Sequence, residues 1–369
     1  MQRKGNAATS VSYDYRLWRT GCNLACNKQW NQQPSTIDLR NRKDQNMRSG
    51  LGQIRQASPE FLLYAQQYGM NDIVFNTPDL PSADGSWAVH DLVNLRRNVE
   101  NYGLTLSALE NVPTTFYDHI MLNGPKRDEQ VDNMITTVRN IARAGIPIFG
   151  YHWMPSHVWR TPEQLIRGGS RATAFNYKTA GEMPLTHGRE YTEEEMWTNL
   201  EYWIKIITPI AEEEGIRLGI HPCDPPVKKL GGIPMLFNSY ENYRRYLDIY
   251  PSDNCAIEFC QGTISEMFDS EGDALYEFIA EMTAKKKILY VHFRNVSAPN
   301  PEDFREEFIN TGHVDMYRAM KAYNDNGYDS FFIDDHVPHT HQDTQFGHRG
   351  RAFANGYIQA MIEAVTKQG

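Results

Sequence analysis

Short apolar runs alternate with longer amphipathic segments along most of this chain. DIVFN (Asp72–Asn76), Leu104–Glu110, Pro147–Trp153 and the runs at 217–222, 254–260, 287–293 and 329–335 read as strands. Between them lie helical patterns at Ser58–Gln67, Trp87–Tyr102, Asp128–Ala144, Tyr191–Glu214, 239–249, 271–284 and 314–325, with a last helix from Arg351. Ser58-Pro-Glu is a start signal, and Thr192 with Glu195 has capping-box spacing. With Tyr13–Leu17 counted as the first strand, eight strand–helix units result. Such alternation predicts a parallel sheet, and the number eight predicts its closure into a (β/α)8 TIM barrel.

The rest of the chain reads as connections. Residues 1–57 form an irregular, polar N-terminal extension, rich in Asn, Gln and Arg from Asn27 to Arg55. A second excursion, Met154–Glu190, reads as one long loop of the kind that often covers a working site. No linker, repeat or low-complexity tract divides the 369 residues, so a single catalytic domain is expected.

Polar side chains collect where the strands end. His221 follows RLGI, Glu258 and Cys260 close the next strand, His292 follows KILYV, and Asp334-Asp335-His336 follow SFFI. In a parallel barrel all these ends open on one face, which carries the chemistry. A lone strand-end histidine is usually a satisfied structural group, and a lone buried cysteine a small hydrophobe. Four ends offering imidazole, thiolate, imidazole and carboxylate point instead to a divalent transition metal: Zn²⁺, Fe²⁺, Co²⁺ or Mn²⁺. Side-chain alternation makes Asp334 and Asp335 alternatives, and leaves Glu258 either a further ligand or a partner of one. Glu110, Tyr151 and His152 end two other strands and are candidate substrate contacts. Arg294 is a candidate carboxylate clamp, and His336 a proton carrier beside the metal.

Composition narrows the function. A net charge of −9 and no basic stripe argue against nucleic acid as a partner. No apolar run reaches membrane-spanning length, and the N-terminus lacks the apolar core of a signal peptide. Five cysteines, an odd and sparse set, suit a reducing cytoplasmic setting, and the Cys22/Cys26 pair has no second pair to make a zinc site. A homo-oligomer is compatible with all of this.

With these residues assembled, the chain resembles the mannonate dehydratases, metal-dependent sugar-acid dehydratases with a xylose-isomerase-like barrel. The likeness runs from about residue 58 onward. It rests on Glu110-Asn-Val-Pro113, Tyr151-His-Trp-Met-Pro155, Trp159-Arg-Thr161, His221-Pro-Cys-Asp-Pro-Pro226, Cys260-Gln-Gly-Thr263, His292-Phe-Arg294, Gly312-His-Val-Asp-Met-Tyr317 and Asp335-His336. It implies His221, Cys260, His292 and Asp335 as metal ligands, usually of Mn²⁺. It also implies His336 as an acid/base residue, and conversion of D-mannonate to 2-dehydro-3-deoxy-D-gluconate with loss of water. The chain departs from the family at Asn76-Thr-Pro-Asp-Leu-Pro81, where members carry a His-His-Ile-Pro type segment. It departs again at Asp343–Gly350, which lacks the family's catalytic tyrosine, so His348 or His341 is the expected replacement. The alternatives are a sugar isomerase or epimerase on the same metal, and a non-catalytic metal- or sugar-binding relative.

Overall fold

The computed structural model describes residues 47–367, apart from 83, 182–183 and 268–271. The compact unit holding the barrel spans Gln45–Gly369. Eight parallel strands close on themselves: β1 (Arg48–Ile54), β2 (Asp72–Asn76), β3 (Thr105–Glu110), β4 (Ile148–Tyr151), β5 (Arg217–Ile220), β6 (Cys255–Cys260), β7 (Ile288–His292) and β8 (Phe331–Ile333). Each strand pairs with its sequence neighbours, and β8 returns to β1 with Arg48 opposite Phe331. Eight helices follow in turn: α1 (Pro59–Gln67), α2 (Val89–Glu100), α3 (Arg127–Arg143), α4 (Glu193–Glu214), α5 (Tyr240–Ile249), α6 (Ala274–Ala284), α7 (Met316–Asp325) and α8 (His348–Thr366).

Two helix starts are set by the expected side chains. Ser58 Oγ accepts the N–H of Phe61, at 3.4 Å. Thr192 Oγ1 accepts the N–H of Glu195 (3.1 Å) while Glu195 Oε2 accepts that of Thr192 (2.7 Å), so donors with no partner inside the helix are satisfied reciprocally.

Two expectations need correction. The first barrel strand is Arg48–Ile54, inside the stretch read as an irregular extension; Tyr13–Leu17 lies outside the described residues. The sequence RSGLGQI hides a strand because it carries glycines where side chains would signal one. A Cβ on Gly50 would sit 2.7 Å from the Asp72 carbonyl, and one on Gly52 2.3 Å from Ile333 Cδ1. The 154–190 excursion is also not a simple loop. Thr161–Leu165 and Arg171–Asn176 pair antiparallel, and Asp303–Arg305 joins them as a third strand.

Apolar side chains fill two layers. Val74, Ala108, Ile148, Ala256, Leu289, Tyr290, Phe331 and Ile333 form one cluster on the barrel strands. A much larger cluster packs the strands against the helices, with Leu62, Leu92, Met134, Trp203, Tyr243, Phe278, Met320 and Ile358 among its helical members. Among the described residues, no helix is long and apolar enough to cross a membrane.

Candidate metal centre

Strands β5, β6 and β7 end in the side chains that converge. His221, Cys260 and His292 are buried, and their ligand atoms lie within 4.8 Å of one another. Cys260 and His292 stand opposite each other in the β6–β7 register, so pairing alone brings them together. Asp335, just past β8, places Oδ2 3.5 Å from His292 Nδ1. Glu110 and Glu258 form a second close group around the same imidazole, with Glu110 Oε2 3.0 Å and Glu258 Oε1 3.3 Å from His292 Nε2.

The charges of the cluster are mutually dependent. Burial pushes the Cys260 thiol up, but Arg294, His221 and His292 outweigh it and hold the sulfur well below the usual thiol range. Burial would lower His221, yet Glu258 and Cys260 raise it to about 9. His292 also lies well above the ordinary imidazole range: burial opposes this, and Glu110, Asp335 and Cys260 overcome it. Glu258 is raised to about 8 by burial and by Glu110. Asp335 is held low against burial by His336, His292 and Arg294.

The donor set fits a divalent ion. His221 Nδ1 lies 2.8 Å from the Pro222 carbonyl, an atom that can only accept, so Nδ1 carries a hydrogen and Nε2 is the nitrogen that could ligate. His292 Nδ1 and both carboxylate oxygens of Glu258 are buried without a hydrogen-bond partner among the described residues. Buried polar atoms are rarely left so, and a cation would satisfy them. Thiolate, imidazole and carboxylate together suit a transition ion better than Ca²⁺ or Mg²⁺.

Around the cluster lies a network of buried charge that sequence reasoning missed. Arg294 was expected to clamp the substrate carboxylate, but its donors are already engaged. Nε faces Cys260 Sγ (3.3 Å); Nη1 donates to Glu306 (2.8 and 2.9 Å) and Glu266 (3.4 Å); Nη2 donates to Thr263 Oγ1 (2.6 Å) and Asp224 (3.4 Å). The clamp reading is therefore replaced by one in which Arg294 holds the thiolate. Arg160 makes a two-pronged contact with Asp224 (2.7 and 2.8 Å), reaches Glu306 at 3.3 Å, and lies 3.5 Å from His336 Nε2. Arg160 and Asp224 were visible in the motifs as residues without an assigned role. Glu306 had no signal, because Glu306-Glu307 in a polar stretch reads as a solvated charge pair.

The remaining candidates divide. His152 is buried beside the cluster and pushed down to about 3 by burial, with His221 and His157 adding to it. Its Nδ1 accepts the Met154 N–H (3.2 Å), which leaves the proton on Nε2. His336 is lowered to about 4 by desolvation, which outweighs Asp335. Its Nε2 lies 3.6 Å from Asp335 Oδ2. Tyr151, expected to touch substrate, instead stacks on Phe149 and meets Trp203 of α4. The pleat explains this: the preceding Gly150 is the residue that backs onto Glu258. His348 starts α8 against Phe61, Tyr64 and Phe346, with Nδ1 2.6 Å from Thr344 Oγ1 and Nε2 3.6 Å from Glu60. These neighbours belong to α1 and to the segment just before α8, so the structure does not bring His348 to the cluster. His341 lines a surface cavity of about 700 Å³ with Arg171, His339 and Asp343.

Backbone strain marks the same face. Gln53, Thr77, Asn111 and His336, each at or just past the end of a barrel strand, have φ of 60°, 45°, 63° and 44°. Non-glycine residues hold this left-handed conformation at a cost of about 1–3 kcal/mol each and collect at working sites.

The sequence pattern of the D-mannonate dehydratase (UxuA) family matches residues 55–188 and 184–369. The chain belongs to that family. It is 30% identical over 329 residues to mannonate dehydratase 2 of Halalkalibacterium halodurans, covering 81% of this chain and 93% of that one. It is 29% identical to the mannonate dehydratase of Streptococcus uberis, covering 81% and 92%. The crystal structure of mannonate dehydratase from Streptococcus suis serotype 2 superposes with a TM-score of 0.78 at 29% identity, over 87% of this chain and 94% of that one. More distant barrels, such as an L-ribulose 3-epimerase at 14% identity and a TM-score of 0.54, share the fold.

Proposed function

We propose that this chain is a metal-dependent hydro-lyase of a sugar acid, with D-mannonate the first substrate to test and 2-dehydro-3-deoxy-D-gluconate the product. The observation that carries the proposal is the buried His221–Cys260–His292 group with Asp335 and His336 beside it, in a member of the D-mannonate dehydratase family. His221, Cys260, His292 and Asp335 are the proposed ligands. Mn²⁺ is the proposed ion, as the family resemblance implies. A bound divalent ion supplies a Lewis acid for the negative charge that builds up beside the substrate carboxylate as its α-proton leaves.

The chain's own residues do the rest. His336, lowered to about 4, is neutral at pH 7 with one ring nitrogen unprotonated, and is partly exposed, so it can take a proton as general base. His152, with its hydrogen on Nε2, offers a donor suited to a substrate hydroxyl. Arg294 and Arg160 fix Cys260, Asp224 and His336 and leave the substrate to others. Cys223, Cys255 and Cys260 are free and buried, which supports the proposed reducing, cytoplasmic setting.

The test is incubation with C5 and C6 aldonates plus Mn²⁺, read by a 2-keto-3-deoxy-acid assay and by product mass. A product lighter by one water supports dehydration. A product of unchanged composition would replace the proposal with isomerisation or epimerisation. Metal-loaded protein inert towards the whole panel would leave only a binding role.

A further inference from the structure

Glu110 was expected to meet substrate, but its side chain points elsewhere. It ends β3 and is 2% exposed. Its Oε1 accepts from Asn76 Nδ2 at 2.8 Å and from Gln53 Nε2 at 3.2 Å. The same Asn76 amide donates to Gln53 Oε1 at 2.8 Å. Thr77 Oγ1 and Asn111 Nδ2 hold Asn76 Oδ1, at 3.0 and 3.4 Å. The ends of β1, β2 and β3 thus grip one oxygen of Glu110. The other, Oε2, crosses to His292 Nε2 on β7 at 3.0 Å.

This wiring has a chemical consequence. With Oε1 filled by two amide donors, Glu110 presents Oε2 as an acceptor, so the shared hydrogen belongs to imidazole Nε2. In the neutral, ligating form of the imidazole the lone pair is then on Nδ1, the nitrogen that lies 3.5 Å from Asp335 Oδ2 and has no hydrogen-bond partner among the described residues. A carboxylate behind a ligating histidine fixes both its tautomer and its ring orientation. Asn76 lies in the segment where the chain departs from its family, so this grip is built partly from residues of this chain's own pattern.

We propose that Glu110, held by Gln53 and Asn76, is a positioning residue that presents His292 Nδ1 to the metal. The inference rests on the metal reading given under Proposed function. The alternative is that Glu110, Glu258 and His292 are themselves a cation site, which would use Nε2 instead.

Thiolate-to-cobalt absorption from the wild type separates these, since the alternative site has no sulfur and a cobalt spectrum without that absorption would favour it; Glu110→Gln then tests the positioning itself. One end of the new amide must turn its NH₂ either to the donors of Gln53 and Asn76 or to His292 Nε2, so one contact is lost whichever way it lies. Ser107→Ala is the control. Ser107 lies on the same strand, is buried, and its hydroxyl donates to Asp72 Oδ1 at 2.5 Å. The probes are Mn²⁺ and Co²⁺ alone, read by calorimetry and by the thiolate-to-cobalt absorption. The expected result is one ion per chain in the wild type, with binding about 10- to 100-fold weaker in Glu110→Gln and an altered cobalt spectrum. Ser107→Ala keeps wild-type binding and spectrum. Wild-type affinity and spectrum in Glu110→Gln, an equal loss in Ser107→Ala, or two ions per wild-type chain would each overturn the inference alone. A wild-type chain that takes up neither ion overturns the metal reading and this inference with it.

Discussion

Gly262→Ala should damage the metal centre without touching a ligand. Gly262 lies in the short helix Gln261–Glu266 that opens directly after Cys260. A Cβ there would sit 2.4 Å from Arg294 Nη1, 2.6 Å from its Cγ and 2.7 Å from its Cζ. Ordinary contact begins near 3.4 Å, so the guanidinium must retreat by about 1 Å or the helix must shift. Arg294 has little room, since Glu306, Thr263, Asp224 and Cys260 hold it on every side. Overpacking of this kind costs about 1–3 kcal/mol, and one lost hydrogen bond to a charged group about 1.5–3 kcal/mol. We expect a net destabilisation of about 3 kcal/mol. With an unfolding entropy of about 2.1 cal/mol/K per residue, a barrel of this size loses roughly 4 °C of melting temperature. The second effect is more specific. As Arg294 withdraws, the thiol loses the main group that opposes burial, so its pKa must rise. The assay is thiolate absorbance against pH in metal-free protein, taken as the difference from Cys260→Ser, alongside thermal melts. A Gly262→Ala protein that melts within 1 °C of the wild type and titrates its thiol unchanged would refute the reasoning.

Three further outcomes are expected. His336→Asn should lose about 10²- to 10⁴-fold in kcat on the true substrate while Mn²⁺ affinity, measured by calorimetry, stays within about threefold; retained turnover would remove His336 as the proton carrier. Metal binding should release protons: His221, raised to about 9, is charged at pH 7.5 in the metal-free protein, and His292 is raised in the same direction, whereas a ligand imidazole must be neutral. Affinity should therefore rise with pH towards about 9, with at least one proton released per ion when calorimetry is compared across buffers of different ionisation enthalpy; no release would contradict the charge assignment. Arg160→Met leaves Asp224 and Glu306 short of a partner in a buried setting and should cost about 3–5 kcal/mol in denaturant unfolding, with a loss under 1 kcal/mol showing that the network rearranges freely.

What the sequence made legible follows from which signals are local. Apolar runs and caps are local, so seven of the eight barrel strands and the starts of α1 and α4 could be read directly. Strand ends bearing His221, Cys260 and His292 were legible because one topology brings all such ends to one face. β1 was not, because its identity depends on where neighbouring strands press against Gly50 and Gly52. The same limit applies to the charges. Arg294 looks like a substrate clamp until Glu306, outside the barrel strands and without a motif, is found 2.8 Å from it.

Glu110 shows why the error matters for function. A carboxylate at a strand end in this fold is read as facing substrate, and half of that reading concerns the residue's partners. Gln53 comes from a strand that the sequence concealed, and Asn76 from a segment that looked like a loss relative to the family. Together they turn Glu110 towards His292. The departures at Asn76–Pro81 therefore do not weaken the case for a metal; they supply part of what orients one of its proposed ligands. The departure at Asp343–Gly350 is different in kind. There the structure does not bring His348 to the cluster, because it is bound to Thr344 and packed on α1, and His341 lines a surface cavity with Arg171 and His339. The second proton must then come from a group already beside the cluster. His152, neutral and with its hydrogen on Nε2, meets that requirement, and a His152→Phe variant that binds Mn²⁺ normally yet still dehydrates at the wild-type rate would exclude it.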